Sequence, residues 1–149
     1  KIEEYVIERK RRKVWVHRKG ATRSFGPEHP EIPSDYRSTG QPVFIPGSMG
    51  SNSWIMVGRK KAMDLTFGST AHGAGRLLSR SAAKKKFWGE DVKDELEQRG
   101  MVIRSASDSV LAEEATGAYK DVDKVASVSD KLGIANKVVK LVPMSVVKG

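Results

Sequence analysis

One histidine stands among glycines in the run Gly68-Ser-Thr-Ala-His-Gly-Ala-Gly-Arg76. A neutral imidazole in such a place can attack a phosphorus atom or pass a proton. The glycines leave the backbone open, and the run leads into a segment that reads as a helix, so its amides are expected to form an anion site. Arg76 and Arg80 are expected one turn apart on that helix, facing one anion. A plain glycine-rich turn with a locally bonded histidine accounts for the same residues, and spacing alone leaves both readings open. Two common phosphate signatures fail. The dinucleotide pattern G-x-G-x-x-G needs a glycine where Leu78 stands, and G-x-x-x-x-G-K-[ST] occurs nowhere.

A second candidate is Pro46-Gly-Ser-Met-Gly-Ser-Asn-Ser53. Its hydroxyls and free amides could wrap a phosphate, a sugar or a base edge, although on the residues alone a strand-to-strand turn is the favoured reading. A hydrolase nucleophile elbow is excluded, because Ser48 has its glycine at −1 instead of −2. The third candidate is the stretch from Arg9 to Arg23, which holds Arg9, Lys10, Arg11, Arg12, Lys13, Arg18, Lys19 and Arg23 with no acid between them. Trp15 and His17 interleave there, and Lys84 to Lys86 lie beside Phe87 and Trp88. Basic charge mixed with aromatics suits RNA or another single strand, whereas a solvated charged face is the bland alternative.

Metal chemistry has little to stand on. The chain has no cysteine and only His17, His29 and His72, with no zinc-type spacing, so no metal ligand is assigned to it. At the far end, Lys148 in Val146-Val-Lys-Gly149 would neutralise phosphate charge if a strand placed it in a site.

These residues need a scaffold. Residues 2–8 and 13–17 read as strands joined by the polar turn from Arg9 to Arg12. From Gly20 to Gly50 prolines and glycines predict long ordered loops around one strand, Pro42 to Ile45. Residues 53–58 read as a buried strand, Gly68 to Gly75 as a loop, and Arg76 to Lys86 as a basic helix. Glu90 to Arg99 is expected to be helical, and Met101 to Arg104 a short strand. Asp121 caps a third helix with the apolar face Val122, Val125, Val128 and Leu132, ending at Gly133. Strands on either side of Pro143 close the chain. The pattern is α+β, with mixed sheets, long ordered loops and about three helices, and it lacks a regular βαβ rhythm.

Composition sets outer limits. A chain of 149 residues with 38% hydrophobic and 30% charged residues suits one globular unit with a real core. Its net charge of +9 favours a polyanionic partner. No apolar run reaches the roughly 20 residues that span a bilayer, and a cytoplasmic location is expected. The chain opens on Lys1, and residues 1–149 are expected to be a piece of something larger.

Taken together, six segments resemble the C-terminal part of the RtcB family of RNA-splicing ligases. They are His17-Arg-Lys-Gly-Ala-Thr-Arg23, His29-Pro-Glu-Ile-Pro33, Gln41-Pro-Val-Phe-Ile-Pro-Gly-Ser-Met-Gly50, Phe67 to Arg76, Tyr119-Lys-Asp-Val-Asp123 and the ending Val-Val-Lys-Gly. The resemblance implies part of a larger single catalytic domain that uses GTP and manganese. It implies joining of an RNA 3′-phosphate or 2′,3′-cyclic phosphate end to a 5′-hydroxyl end, as in tRNA splicing and RNA repair. By the same resemblance His72 is the guanylylated nucleophile. Pro46, Gly47, Ser48, Met49, Ser53, Gly73, Ala74, Gly75, Tyr119 and Lys148 would hold the guanine nucleotide. Lys19, Arg76 and Arg80 would contact RNA phosphates. Family members are much longer, and their metal ligands (a cysteine, an aspartate and several histidines) lie in the part preceding this one. Two readings compete with the ligase: a non-catalytic basic RNA-binding module, and a phosphatase or phosphotransferase using His72.

Overall fold

The computed structural model describes all 149 residues. Strands β1 (Ile2–Ile7) and β2 (Lys10–Trp15) form an antiparallel hairpin whose turn is only Glu8 and Arg9. Both turn residues have positive φ, 50° and 64°, as a two-residue turn matched to strand twist requires. The expected turn through Arg12 is therefore too long, and Lys10 to Lys13 belong to the strand. Acids of this region also meet the basic run: Arg11 pairs with Glu4, Arg12 with Glu8, and Arg18, beyond the hairpin, with Glu3.

A short strand β3 (Ala21–Arg23) follows, where only loop is expected, and then a 3-10 turn at Ser34–Tyr36. Strands β4 (Pro42–Ile45) and β5 (Ser53–Gly58) match the sequence reading. Helix α1 (Lys61–Thr66) is not foreseen, being a single short helix closed by left-handed Phe67 and Gly68 at φ 51° and 59°. Strand β6 (Ser69–Ala71) pairs with β3.

The basic helix is shorter than expected. Helix α2 (Arg80–Lys86) starts only after Ser79, whose side chain accepts from the Ala82 N–H at 3.1 Å. Arg76 therefore lies outside it. Helix α3 (Gly89–Gln98), strand β7 (Val102–Ser105) and helix α5 (Val122–Leu132), capped by Asp121 and closed by Gly133, lie where expected. Helix α4 (Asp108–Glu113), capped by Ser107, is an addition, and a 3-10 turn spans Thr116–Ala118. The face of α5 is also revised. It buries Val122, Ala126 and Ser129, and leaves Val128 and Leu132 largely exposed. Small residues let this helix lie close to the sheet, and Ser129 Oγ shares a hydrogen bond with Thr70 Oγ1 at 2.9 Å. Strands β8 (Ala135–Leu141) and β9 (Ser145–Lys148) end the fold.

The five α-helices and small sheets make an α+β fold. The antiparallel sheet β4-β5-β8 and α5 bury Val43, Ile45, Met56, Val122, Ala126 and Ala135, together with Ala74. The parallel pair β7-β9 joins α3 and α4 around a second cluster of Val92, Leu96, Met101, Ile103, Leu111 and Val146, together with Met49. No helix is long and apolar enough to cross a membrane.

Candidate active site

His72 leaves the end of β6, whose pairing with β3 brings Ala71 opposite Ala21. Its N–H donates to the Gly20 carbonyl at 3.3 Å, and the residue is exposed. The chain then turns inward. The Ala74 N–H donates to the Pro46 carbonyl at 3.1 Å, and Ala74 is buried in the sheet core. Gly73 lies so near Pro46 that an added Cβ would stand 3.3 Å from the Pro46 carbonyl oxygen. Gly75 takes φ +76°, and its carbonyl accepts from Lys120 N–H at 2.9 Å. Arg76 then bridges to Tyr119 through the backbone. The loop thus touches three of the other candidate segments, at Gly20, at Pro46 and at Tyr119.

The Pro46–Ser53 loop connects β4 to β5 and is tightly bonded, to itself and to the 3-10 turn at Thr116. Gly47 N–H donates to Ser53 Oγ (3.2 Å), Ser48 N–H to Ser51 Oγ (2.7 Å) and Gly50 N–H to Thr116 Oγ1 (3.1 Å). The expectation of free amides at these positions is corrected accordingly. The Met49 side chain is buried in the second core cluster, so within this loop it is the Met49 backbone that stays with the candidate site. The side chain anchors the loop.

Arg76 and Arg80 do not share a helix face. Every donor group of the Arg76 guanidinium has an acceptor within the protein. Nε donates to the Leu78 carbonyl (2.9 Å), one terminal nitrogen to Glu114 (3.2 Å) and Tyr119 Oη (2.8 Å), and the other to the Glu113 carbonyl (2.5 Å). Its plane lies over the Tyr119 ring, 4.7 Å from the centroid. Arg80 is an open surface group in a 3.4 Å ion pair with Glu113, and Lys84 meets the same carboxylate at 2.8 Å. These contacts hold the Glu113 carboxyl below its ordinary range, Lys84 contributing most. Lys19 is exposed next to Gly20, in a cleft of about 400 Å³ also lined by Trp15, His17 and Arg18.

Tyr119 and Lys148 come together through a residue that the motifs did not single out. Tyr119 Oη donates to Glu114 Oε2 at 2.5 Å, and Lys148 Nζ stands 3.7 Å from the same oxygen. Burial, and then the Glu114 bond, push the Tyr119 phenol upward. β9 carries Lys148 into this position by its register with β7, which pairs Ser105 with Lys148. The only signal for Glu114 in the sequence is a missed helix cap, Ser107-Asp108, which would have set Glu113 and Glu114 at a helix end.

The other histidines are placed differently. His29 stacks on Phe25 with centroids 3.9 Å apart, and burial lowers its pKa. No three His, Cys, Asp or Glu side chains of this chain converge as a metal-ligand group.

The family model for "tRNA-splicing ligase RtcB" matches residues 1–149. Relatives so named include that of Pyrobaculum aerophilum, 55% identical over 151 residues, and that of Thermococcus kodakarensis, 54% identical over 149. That of Archaeoglobus fulgidus is 53% identical over 149 residues. Each match covers 100% of this chain and 31% of the relative, so the chain spans about a third of their length. With a match running from its first residue to its last, this chain belongs to the tRNA-splicing ligase RtcB family.

Proposed function

We propose that the protein, at the length of its relatives, is a GTP- and manganese-dependent RNA ligase acting in the cytoplasm. It joins 3′-phosphate or 2′,3′-cyclic phosphate ends to 5′-hydroxyl ends through a guanylylated His72. The observation that carries the reading is the position of His72. The histidine is exposed at a strand end, while its loop is bonded to the Pro46 loop and to the segment that bears Tyr119.

An imidazole nitrogen of His72 attacks the α-phosphorus of GTP. A nitrogen–phosphorus bond forms, and the bond to pyrophosphate breaks. An oxygen of the RNA 3′-phosphate then takes the guanylyl group and frees His72. The 5′-hydroxyl attacks the activated 3′-phosphate and expels GMP. A cyclic end is hydrolysed first. One hard substitution becomes two easier ones through the histidine adduct. Pro46, Gly47, Ser48, Met49, Ser53, Gly73, Ala74 and Gly75 line the nucleotide, with Tyr119 against the base and Lys148 supplying charge. Lys19 and Arg80 are the exposed cations for RNA phosphates. Arg76, whose donors are already engaged, serves by holding Tyr119. Manganese finds no ligand cluster among these residues, so no step here is assigned to it. Its ligands belong to the portion of the relatives that this chain does not span.

The test is intact-mass analysis of the full-length protein after GTP and manganese. One guanylyl mass is expected, labelled from α-³²P GTP and lost in His72→Ala. An adduct that persists in His72→Ala, or label arriving only from the γ-phosphate, would reject the reading.

A further inference from the structure

We propose that Glu114 is a positioning residue of the nucleotide site, its carboxylate fixing Tyr119, Arg76 and Lys148 in one arrangement without itself touching the nucleotide. This rests on the guanylylation reading above.

Glu114 closes α4, and its side chain is only 16% exposed. Its two oxygens are divided between three donors from separate parts of the chain. Oε1 accepts from Arg76, and Oε2 accepts from the Tyr119 phenol and faces the Lys148 ammonium. The two hydrogen bonds and the one ion-pair contact differ in strength, and the difference has a use. The 2.5 Å phenol bond is short and charge-assisted, so Tyr119 is fixed at its hydroxyl. Arg76 donates to the same hydroxyl and covers one ring face, which fixes the ring plane. The 3.7 Å approach of Lys148 is loose. Its ammonium is aimed but not consumed, and can move to an incoming oxygen while staying near its partner. Without the carboxylate, Arg76 and Lys148 would repel each other, and the Tyr119 hydroxyl would lose its only acceptor. The three would then have to be ordered at the moment of binding, which weakens affinity.

The test uses the full-length protein and measures guanylylation of His72 against GTP concentration. Glu114→Gln keeps the shape of the side chain and removes its charge. The half-saturating GTP concentration is expected to rise about tenfold, while the saturating rate changes less than about threefold. Tyr119→Phe in the same background should add almost nothing, because both changes break one network. A merely structural role would instead lower thermal stability and the active fraction at unchanged half-saturation. That result, or losses for Glu114→Gln and Tyr119→Phe that add in full, would overturn the proposal. If the unaltered protein forms no guanylyl adduct, the underlying reading fails and this one falls with it. If the unaltered protein labels and Glu114→Gln titrates identically, the Glu114 role alone fails.

Discussion

Ala74 and Pro46, 28 positions apart in the chain, are joined by one backbone hydrogen bond of 3.1 Å. That bond sets the histidine loop edge to edge with the β4–β5 loop. Each loop is also anchored behind it by one apolar side chain, Ala74 in the sheet core and Met49 in the helical one. The exposed residues between the anchors owe their position to these buried ones.

Met49→Ala removes most of a buried side chain at the anchor. The full-length protein should lose about 2–4 kcal/mol of stability. Thermal denaturation checks this, and GTP titration of the folded variant should show weaker binding, because the loop loses its fixed attachment. A Tm equal to that of the parent would show that Met49 does not anchor the loop.

Gly47→Ala should damage the site more locally. A Cβ there would stand 2.1 Å from the Asn52 carbonyl oxygen, which is backbone and cannot step aside cheaply. The loop must open, at a cost on the order of 3 kcal/mol. Guanylylation should fall sharply, with most of the secondary structure kept by circular dichroism. Unchanged labelling would mean that the loop is softer than its bonding suggests.

Arg18 binds Glu3 through two hydrogen bonds of 2.8 Å, and the pair is largely buried. The Arg18 bonds, opposed by desolvation, hold the Glu3 carboxyl down at about 2, against an ordinary 4.5. The folded pKa is depressed, so the stability is fully present above pH 4.5 and is lost as pH falls toward 2. Solvent at the rim reduces the contribution to about 2 kcal/mol. Acid unfolding should therefore lose part of its steepness in that window for Glu3→Gln. An identical acid profile in the variant would refute it.

Lys19→Ala and Arg80→Ala should leave stability within about 0.5 kcal/mol, as both side chains are exposed. RNA affinity should fall, and the slope of binding against salt should drop by about one phosphate contact per variant. Arg76→Lys should behave in the opposite way, since an ammonium cannot reproduce four hydrogen bonds and a face on Tyr119. It should cost stability and leave the salt slope alone. Equal salt slopes for the parent, Lys19→Ala and Arg80→Ala would remove both from the RNA surface.

Much of the frame was legible because it follows local rules. The Asp121 cap, the Gly133 stop and the apolar run of β5 each declare an element on their own. Helix α4 and strand β3 were not, because six and three residues carry too little periodicity to stand out from loop. Of the candidate site, the local backbone at His72 and at the Pro46 loop was legible, since glycines mark tight backbone there. Glu114 was hidden, since an ordinary acid at a helix end gains meaning only when β9 brings Lys148 alongside. Arg76 was misplaced for a related reason: the basic residues up to Lys86 read as one helix, and only the Ser79 cap divides them.

Glu113 and Glu114 stand at the C-terminal end of α4, where the helix dipole disfavours negative charge. Two adjacent carboxylates there would fray a six-residue helix if left to themselves. Arg80 and Lys84 offset one, and Arg76 and Lys148 offset the other. The last turn of α4 is thereby linked to cations that the proposed nucleotide or RNA end would compete for. A ligand that draws Lys148 away loosens that turn, and a helix held firm makes the lysine harder to draw. Hydrogen exchange at Glu113 and Glu114 would thus report on occupancy of a site whose ligand neither residue needs to touch.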